Sequence, residues 1–278
     1  MTAAPPPGFD FDRETAVRRI APGRYEAEIA RSWWVVQGPN GGYVAAVLLR
    51  ALTDVVDDPE RSPRSLTVHY ASPAREGTVT IQVTVERVGR SLTTLTARME
   101  QDERLVALAI AAFSKARPGP ELSDLVMPQV PPPHHYVTLP PPPEAPPIAK
   151  RYETRWAIGT PPSPTAPRSA RAVAGGWIRL PEHRQVDALL AAAITDGWLP
   201  PLFARVQEPV AVPTVDLTIH FRAELPHPGL ADDDFVLASF RTTVAAGGFL
   251  EEDGEVWAPD GTLLAQSRQL AVIVPFTG

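Results

Sequence analysis

The 278-residue chain contains no cysteine. Disulfides, a thiol nucleophile and cysteine-ligated metal are therefore excluded, and a cytoplasmic location is expected. Clusters of positive charge are missing as well. Lys and Arg number 26 against 32 Asp and Glu, so the formal net charge is −6. Phosphate backbones are bound by clustered cations, so no nucleic-acid partner is expected. The longest apolar runs, such as residues 105–113, fall far short of the ~20 residues that cross a bilayer, so no membrane span is expected. Met1 to Pro7 has neither a basic region nor an apolar stretch and does not read as a secretory signal. What the chain does have is core-forming material. Apolar residues make up 44 %, and the length suggests two domains or one large one.

The chain also nearly repeats itself. Leu66-Thr67-Val68-His69-Tyr70 returns as Leu217-Thr218-Ile219-His220-Phe221, 151 residues later. Gly89 and Asp102 with Leu105-Val106-Ala107 are answered by Gly247 and Asp260 with Leu263-Leu264-Ala265, at an offset of 158. The seven extra residues fall where the second copy carries Pro226 to Asp234, a polar stretch suited to a surface loop. A duplicated unit free to diverge tends to keep one working site. Differences between the copies are therefore where function is sought.

Residues 118–147 hold a dozen prolines. Proline fixes φ and donates no backbone hydrogen bond, so a stiff connector is expected between the copies. Gly159 to Pro167 reads as an irregular loop. The expected domains are residues 1–117, a linker at 118–167, and 168–278. Each copy reads as a helix followed by strands. Tyr43 to Leu52 is apolar nearly all round, which predicts a fully buried helix. Strands are predicted over 66–70, 78–85, 92–99 and 105–113. In 78–85, Val79, Ile81, Val83 and Val85 alternate with polar residues, the mark of a half-buried strand. The second copy offers a helix over 186–194 and strands over 215–221, 235–244, 249–257 and 263–274. The fold class is α+β, with a curved antiparallel sheet around a central helix, twice.

Several motifs resemble a known family. They are Asn40-Gly41-Gly42 at a helix start, Leu189 to Asp196 at a helix end, Pro213-Thr214-Val215-Asp216 entering a strand, and Asp260 to Gln269 across the last hairpin. From about Trp34 to Val274 the chain resembles the TesB-like acyl-CoA thioesterases (acyl-CoA thioesterase II), which have a double hotdog fold. The resemblance implies that Asp196, Thr214 and Gln269 bind and activate a water. It also implies a fatty acyl-CoA substrate, a place in fatty acid metabolism, a homo-oligomer, and no cofactor or metal. By the same resemblance the amides at Asn40, Gly41 and Gly42 would bind substrate by polarising the thioester carbonyl, pairing copy one with Asp196 of copy two.

The residues themselves leave more than one reading open. Asp196 lies three residues after Ala193, on a stripe of buried positions and near a helix C-terminus. Burial and the helix dipole would both raise its pKa and suit it to general-base work. Alternatively, Asp196-Gly197 is only a helix stop, with Gly197 as its left-handed terminator. Gln269 has Ala111 as its counterpart at the 158 offset, an amide against a methyl. A buried carboxamide requires partners, whereas a solvated strand residue requires none. Thr214 begins an alternating strand, on the same face as Asp216, Thr218 and His220; Asp216 is the rival carboxylate. His69 and His220 occur in both copies, which favours a structural or interfacial role. Arg64, Arg75 and Arg90 are candidates for CoA phosphates.

The leading expectation is hydrolysis of acyl-CoA without a covalent intermediate, with the acyl chain in an apolar tunnel along the buried helix. The chain has no Gly-x-Ser-x-Gly sequence, which sets it apart from α/β-hydrolases. A hydratase or dehydratase would need an Asp and a His near one helix start, and only His183 and Asp187 come near, in the wrong order. A non-catalytic acyl-CoA binder is the other alternative.

Overall fold

A computed structural model describes residues 8–138, 140–162, 168–206, 208 and 210–275. Met1 to Pro7 and residues 163–167 of the expected loop lie outside the described residues. A short helix α1 (Asp10–Glu14) and the hairpin β1 (Val17–Ala21) and β2 (Arg24–Ile29) come first. The long helix α2 (Gly41–Val56) follows. Then come β3 (Ser62–Tyr70), β4 (Gly77–Val88), β5 (Leu92–Gln101) and β6 (Arg104–Ser114). The second half contains β7 (Glu153–Ile158), β8 (Ala172–Arg179), helix α3 (Ala188–Ile194), β9 (Val210–Ala211) and β10 (Thr214–Phe221). It ends with β11 (Val236–Thr242), β12 (Ala245–Ala246), β13 (Phe249–Trp257), β14 (Leu263–Val272) and β15 (Val274–Pro275).

Most of the strands form one antiparallel sheet in the order β1-β2-β4-β5-β6-β3-β10-β14-β13-β11-β8-β7, with β12 paired to β13, while β9 and β15 form a separate two-stranded sheet. The halves meet at β3 and β10, which are the repeated segments themselves. Thr67 faces Thr218 across that seam, with their hydroxyls 3.0 Å apart. The repeat is therefore the pseudo-twofold centre of the sheet. Its apolar residues Leu66, Val68, Leu217 and Ile219 point inward and are fully buried. His69 and His220 lie on the exposed outer side.

Helix α2 fills the concave side of the sheet. From Gly42 to Leu49 every residue is buried, which is why its sequence shows no polar face. Asn40 caps it, the side chain accepting from the Tyr43 N–H at 3.0 Å. Asp57 ends it in the left-handed region at φ 43°. Tyr43 stacks on Trp33 with ring centroids 5.1 Å apart. Helix α3 is less than half as long, and Asp187 caps it by accepting from the Leu190 N–H at 2.9 Å. The two helices pack through a close approach at Gly42. A Cβ there would lie 2.5 Å from the Ala193 carbonyl oxygen, so only glycine lets the backbones come this near.

The structure departs from the sequence expectation in its outer strands and in one helix start. The strands β1, β2, β7 and β8 form the outer parts of the sheet, and none of them was read from the sequence. β7 lies inside the 118–167 stretch expected to be linker, paired to β8. The helix expected over 186–194 starts at Ala188, because the Asp187 side chain caps it.

Candidate active site between the halves

Asp196 sits two residues beyond the end of α3, against the N-terminus of α2. Its Oδ2 accepts from the Gly42 N–H at 3.0 Å and from the Asn40 Nδ2 at 2.8 Å. The same Asn40 nitrogen donates to the Asp196 carbonyl at 2.7 Å. Asn40 thus caps its helix with one end of the carboxamide and holds the carboxylate with the other. Tyr70 supports the arrangement by donating to the Gly41 carbonyl at 2.7 Å.

These contacts revise two expectations. The helix-stop alternative for Asp196-Gly197 invoked a left-handed glycine, and Gly197 is not in that region. The dipole of α3, the helix that Asp196 follows, disfavours the charge of this carboxylate. Here the positive N-terminal end of α2 also meets the carboxylate, and that favours its charge. Burial is nonetheless the larger effect. It pushes the Asp196 carboxyl up to about 6, against the opposing pull of the Gly42 and Gly41 amides and of the Gln269 and Asn40 side chains. The expected substrate-binding amides are therefore engaged on the base. The Gly42 N–H in particular is directed at Asp196 instead of being free for a thioester carbonyl.

Gln269, on β14, is 5 % exposed, which settles against a solvated strand residue. Its Oε1 accepts from the Thr214 hydroxyl at 2.9 Å, and its Nε2 donates to Glu252 Oε1 at 2.8 Å. Thr214 reaches it for a reason that strict alternation missed. The pairing of β10 with β14 shifts between Thr214 and Asp216. That bulge turns Thr214 inward, away from the face it would share with Thr218 and His220. The backbone also confirms the counterpart read from the sequence. Ala111 lies opposite Leu66, and Gln269 opposite Leu217, the matching residue of the repeat.

Two residues of the site were missed in the sequence. Tyr70 stands where the second copy has Phe221, so a single hydroxyl distinguishes the copies at this position, and that hydroxyl anchors Gly41. Burial and the nearby Asp196 and Asp216 carboxylates push this phenol well above its usual range, so it stays a donor. Glu252 occupies an inward position of β13, in the alternating set Leu250, Glu252, Gly254 and Val256. A carboxylate on the buried face of an alternating strand was the available signal.

Other candidates fall elsewhere. Arg75 pairs with Asp102 at 2.5 Å on the surface. Asp187 caps α3 and pairs with Arg184 at 2.7 Å, so it forms no acid–base pair with His183, which lies in the preceding loop. Among the described residues, no group of His, Cys, Asp or Glu is arranged to hold a metal ion, and no helix is long and apolar enough to cross a membrane. An open cavity between residues 125–133 and Trp177, Pro259, Asp260 and Gly261 includes none of the site residues.

Comparison with known proteins agrees with this architecture. The closely similar structure of a conserved protein of unknown function with a hot dog fold from Alicyclobacillus acidocaldarius shares 29 % identity. It matches with a TM-score of 0.85 over 97 % of this chain and 100 % of that one. An acyl-CoA thioesterase II from Mycobacterium marinum matches at 20 % identity and TM-score 0.76, over 96 % of this chain and 99 % of that one. A tesB protein from Mycobacterium avium subs paratuberculosis matches at 18 % and 0.74, over 96 % and 98 %. No curated protein matches. Residues 30–114 match the model of the acyl-CoA thioesterase N-terminal domain, and residues 128–273 that of the C-terminal domain. With both halves matched in order and the hot dog architecture present in each, the chain belongs to the acyl-CoA thioesterase family.

Proposed function

We propose that the protein hydrolyses fatty acyl-CoA thioesters, with Asp196 as general base and Thr214 and Gln269 positioning the water. The observation that carries this reading is the setting of Asp196. It is a largely buried carboxyl of the second half, gripped by Asn40 and Gly42 of the first, and its pKa is raised to about 6. A base of that pKa is mostly ionised at neutral pH and still a far better proton acceptor than an ordinary carboxylate.

In the reaction, Asp196 takes a proton from the water as its oxygen attacks the thioester carbonyl. The tetrahedral adduct then expels the CoA thiolate, which takes the proton back from Asp196. The products are a fatty acid and free CoA. Neither a serine nor a cysteine acyl-enzyme is required. Thr214 donates to Gln269 Oε1, which leaves the Gln269 amide hydrogens for Glu252 and the site. In this reading Asn40, Gly41 and Gly42 contribute by holding the base.

The test is release of free thiol from a panel of acyl-CoAs of varied chain length. Turnover by the purified protein, lost in Asp196→Asn with substrate binding retained, supports the proposal. Tight binding of acyl-CoA with no thiol release, unchanged in Asp196→Asn, would instead identify a non-catalytic binder. The same reading makes the enzyme a cytoplasmic homo-oligomer, which light scattering checks as a mass of at least two chains.

A further inference from the structure

Glu252 has no role in the chemistry above, yet its placement is hard to explain by folding alone. It lies directly opposite Gln269 on the adjacent strand. The same place in the first half is occupied by Leu95, directly opposite Ala111. Leu95 and Ala111 are 0 % and 1 % exposed; Glu252 and Gln269 are each 5 % exposed. The fold therefore builds this pair from hydrocarbon where it is free to. A carboxyl buried there is costly, and a fold that can take leucine does not need one.

Its contacts suggest what it does. Glu252 Oε1 accepts from Gln269 Nε2 at 2.8 Å. Its other oxygen has no hydrogen-bond partner among the described residues. Thr214 alone does not lock the Gln269 carboxamide, because a hydroxyl both donates and accepts. With one Gln269 N–H committed to Glu252 and the oxygen to Thr214, the plane of the amide is set. The second N–H is then turned toward Asp196, on whose carboxyl the Gln269 side chain acts.

We propose that Glu252 is a positioning residue that pins the Gln269 carboxamide between β13 and Thr214, so that its remaining N–H is held toward Asp196 and the water that Asp196 activates. This rests on the thioesterase reading. The charged groups that bear on Glu252 are Asp196 and its own-strand neighbours Glu251 and Asp253. Burial, and after it these acidic neighbours, pushes Glu252 well above the usual carboxylate range, which favours an uncharged acceptor working through its carbonyl oxygen.

The experiment compares wild type with Glu252→Gln, Glu252→Leu and Glu252→Met in two readouts. One is the kinetics of thiol release. The other is the pair of side-chain N–H signals of Gln269, assigned by their loss in Gln269→Glu. Glu252→Gln keeps a carbonyl acceptor, so kcat should stay within about threefold and the acid limb of the pH profile should not move. Glu252→Leu should lower kcat by about tenfold or more with KM little changed, and should speed solvent exchange of the Gln269 N–H protons. Glu252→Met, close to glutamate in shape, should do the same and serves if the leucine variant folds poorly. Wild-type kcat and unchanged Gln269 signals in Glu252→Leu or Glu252→Met would overturn the proposal, as would a shifted acid limb in Glu252→Gln. If the wild type releases no thiol but the Gln269 signals respond as expected, the hydrolase reading fails and the anchoring of Gln269 stands.

Discussion

The two halves of this protein are one design carried to different ends. In the first half, α2 runs on as a continuous helix for sixteen residues, and nine positions after its cap lies Leu49, fully buried. In the second half, α3 ends after seven residues, and nine positions after its cap lies Asp196. On the facing sheet, the first half buries Leu95 and Ala111 where the second buries Glu252 and Gln269. The first half spends these positions on packing and lends its helix N-terminus to its neighbour. The second gives up apolar burial to hold two carboxyls and an amide. A site of this kind is costly to the fold that holds it, so one copy carries it and the other supplies stability.

The largest test of that comparison removes the base. Asp196→Asn should lower kcat by roughly 10²–10⁴ with little change in substrate affinity, measured by thiol release and by equilibrium binding. Retained turnover would mean that the second half is not the catalytic one.

Importing the first half's residue at Gln269 is the next largest. Gln269→Ala copies Ala111 and should lower kcat by roughly 10². The reverse exchange, Ala111→Gln, buries an unpartnered amide between Leu66 and Leu95. It should leave kcat unchanged and destabilise the protein by about 1–3 kcal/mol in denaturant unfolding. Equal effects of the two substitutions on activity would erase the asymmetry.

The pH profile sharpens the role of Asp196. Its carboxyl titrates near 6 in the folded protein, so kcat/KM should fall as pH drops through about 6 and level off above. The stability consequence has the opposite sense. Between the ordinary carboxylate range and about 6, the native state retains a proton that the unfolded state has lost. Folding stability contributed by this group therefore declines as pH rises through that window. Asp196→Asn should accordingly raise Tm relative to wild type at pH 8 more than at pH 4, by calorimetry at both values.

The smallest effect is expected at the seam. Thr67 and Thr218 share a hydrogen bond at the centre of the repeat, away from the chemistry. Thr218→Val should cost roughly 1 kcal/mol of stability and leave kcat within error.

The central helices and the inner strands of both copies were legible because their causes are local. An all-apolar run such as Val44 to Leu49 has to be buried, and the alternation in Val79, Ile81 and Val83 has period two. The outer strands β1, β2, β7 and β8 were not legible. Arg18 and Arg19 in β1 look like loop residues, and Gly175-Gly176 in β8 like a turn. They are strands only because a neighbouring strand takes up their backbone groups. At the site, Gln269 stands out by contrast with Ala111 of the first copy, Asp196 by its stripe of buried positions, and both by family resemblance. Thr214 was named, but placed on the wrong face, because a bulge depends on the partner strand and leaves no mark in alternation.

The sequence by itself determined that the chain is a duplicated α+β protein with apolar central helices, and that its second copy carries the polar residues its first copy lacks. Those properties follow from periodicity and composition, which each segment expresses alone. Only the tertiary structure decided that the carboxylate of one half is held by the helix N-terminus of the other, and that Glu252 stands behind Gln269. Hydrogen bonds between residues more than 150 positions apart, and register across neighbouring strands, exist only once the halves have packed. The same packing removes water from Asp196, and that desolvation is what raises its carboxyl into the range of a useful base.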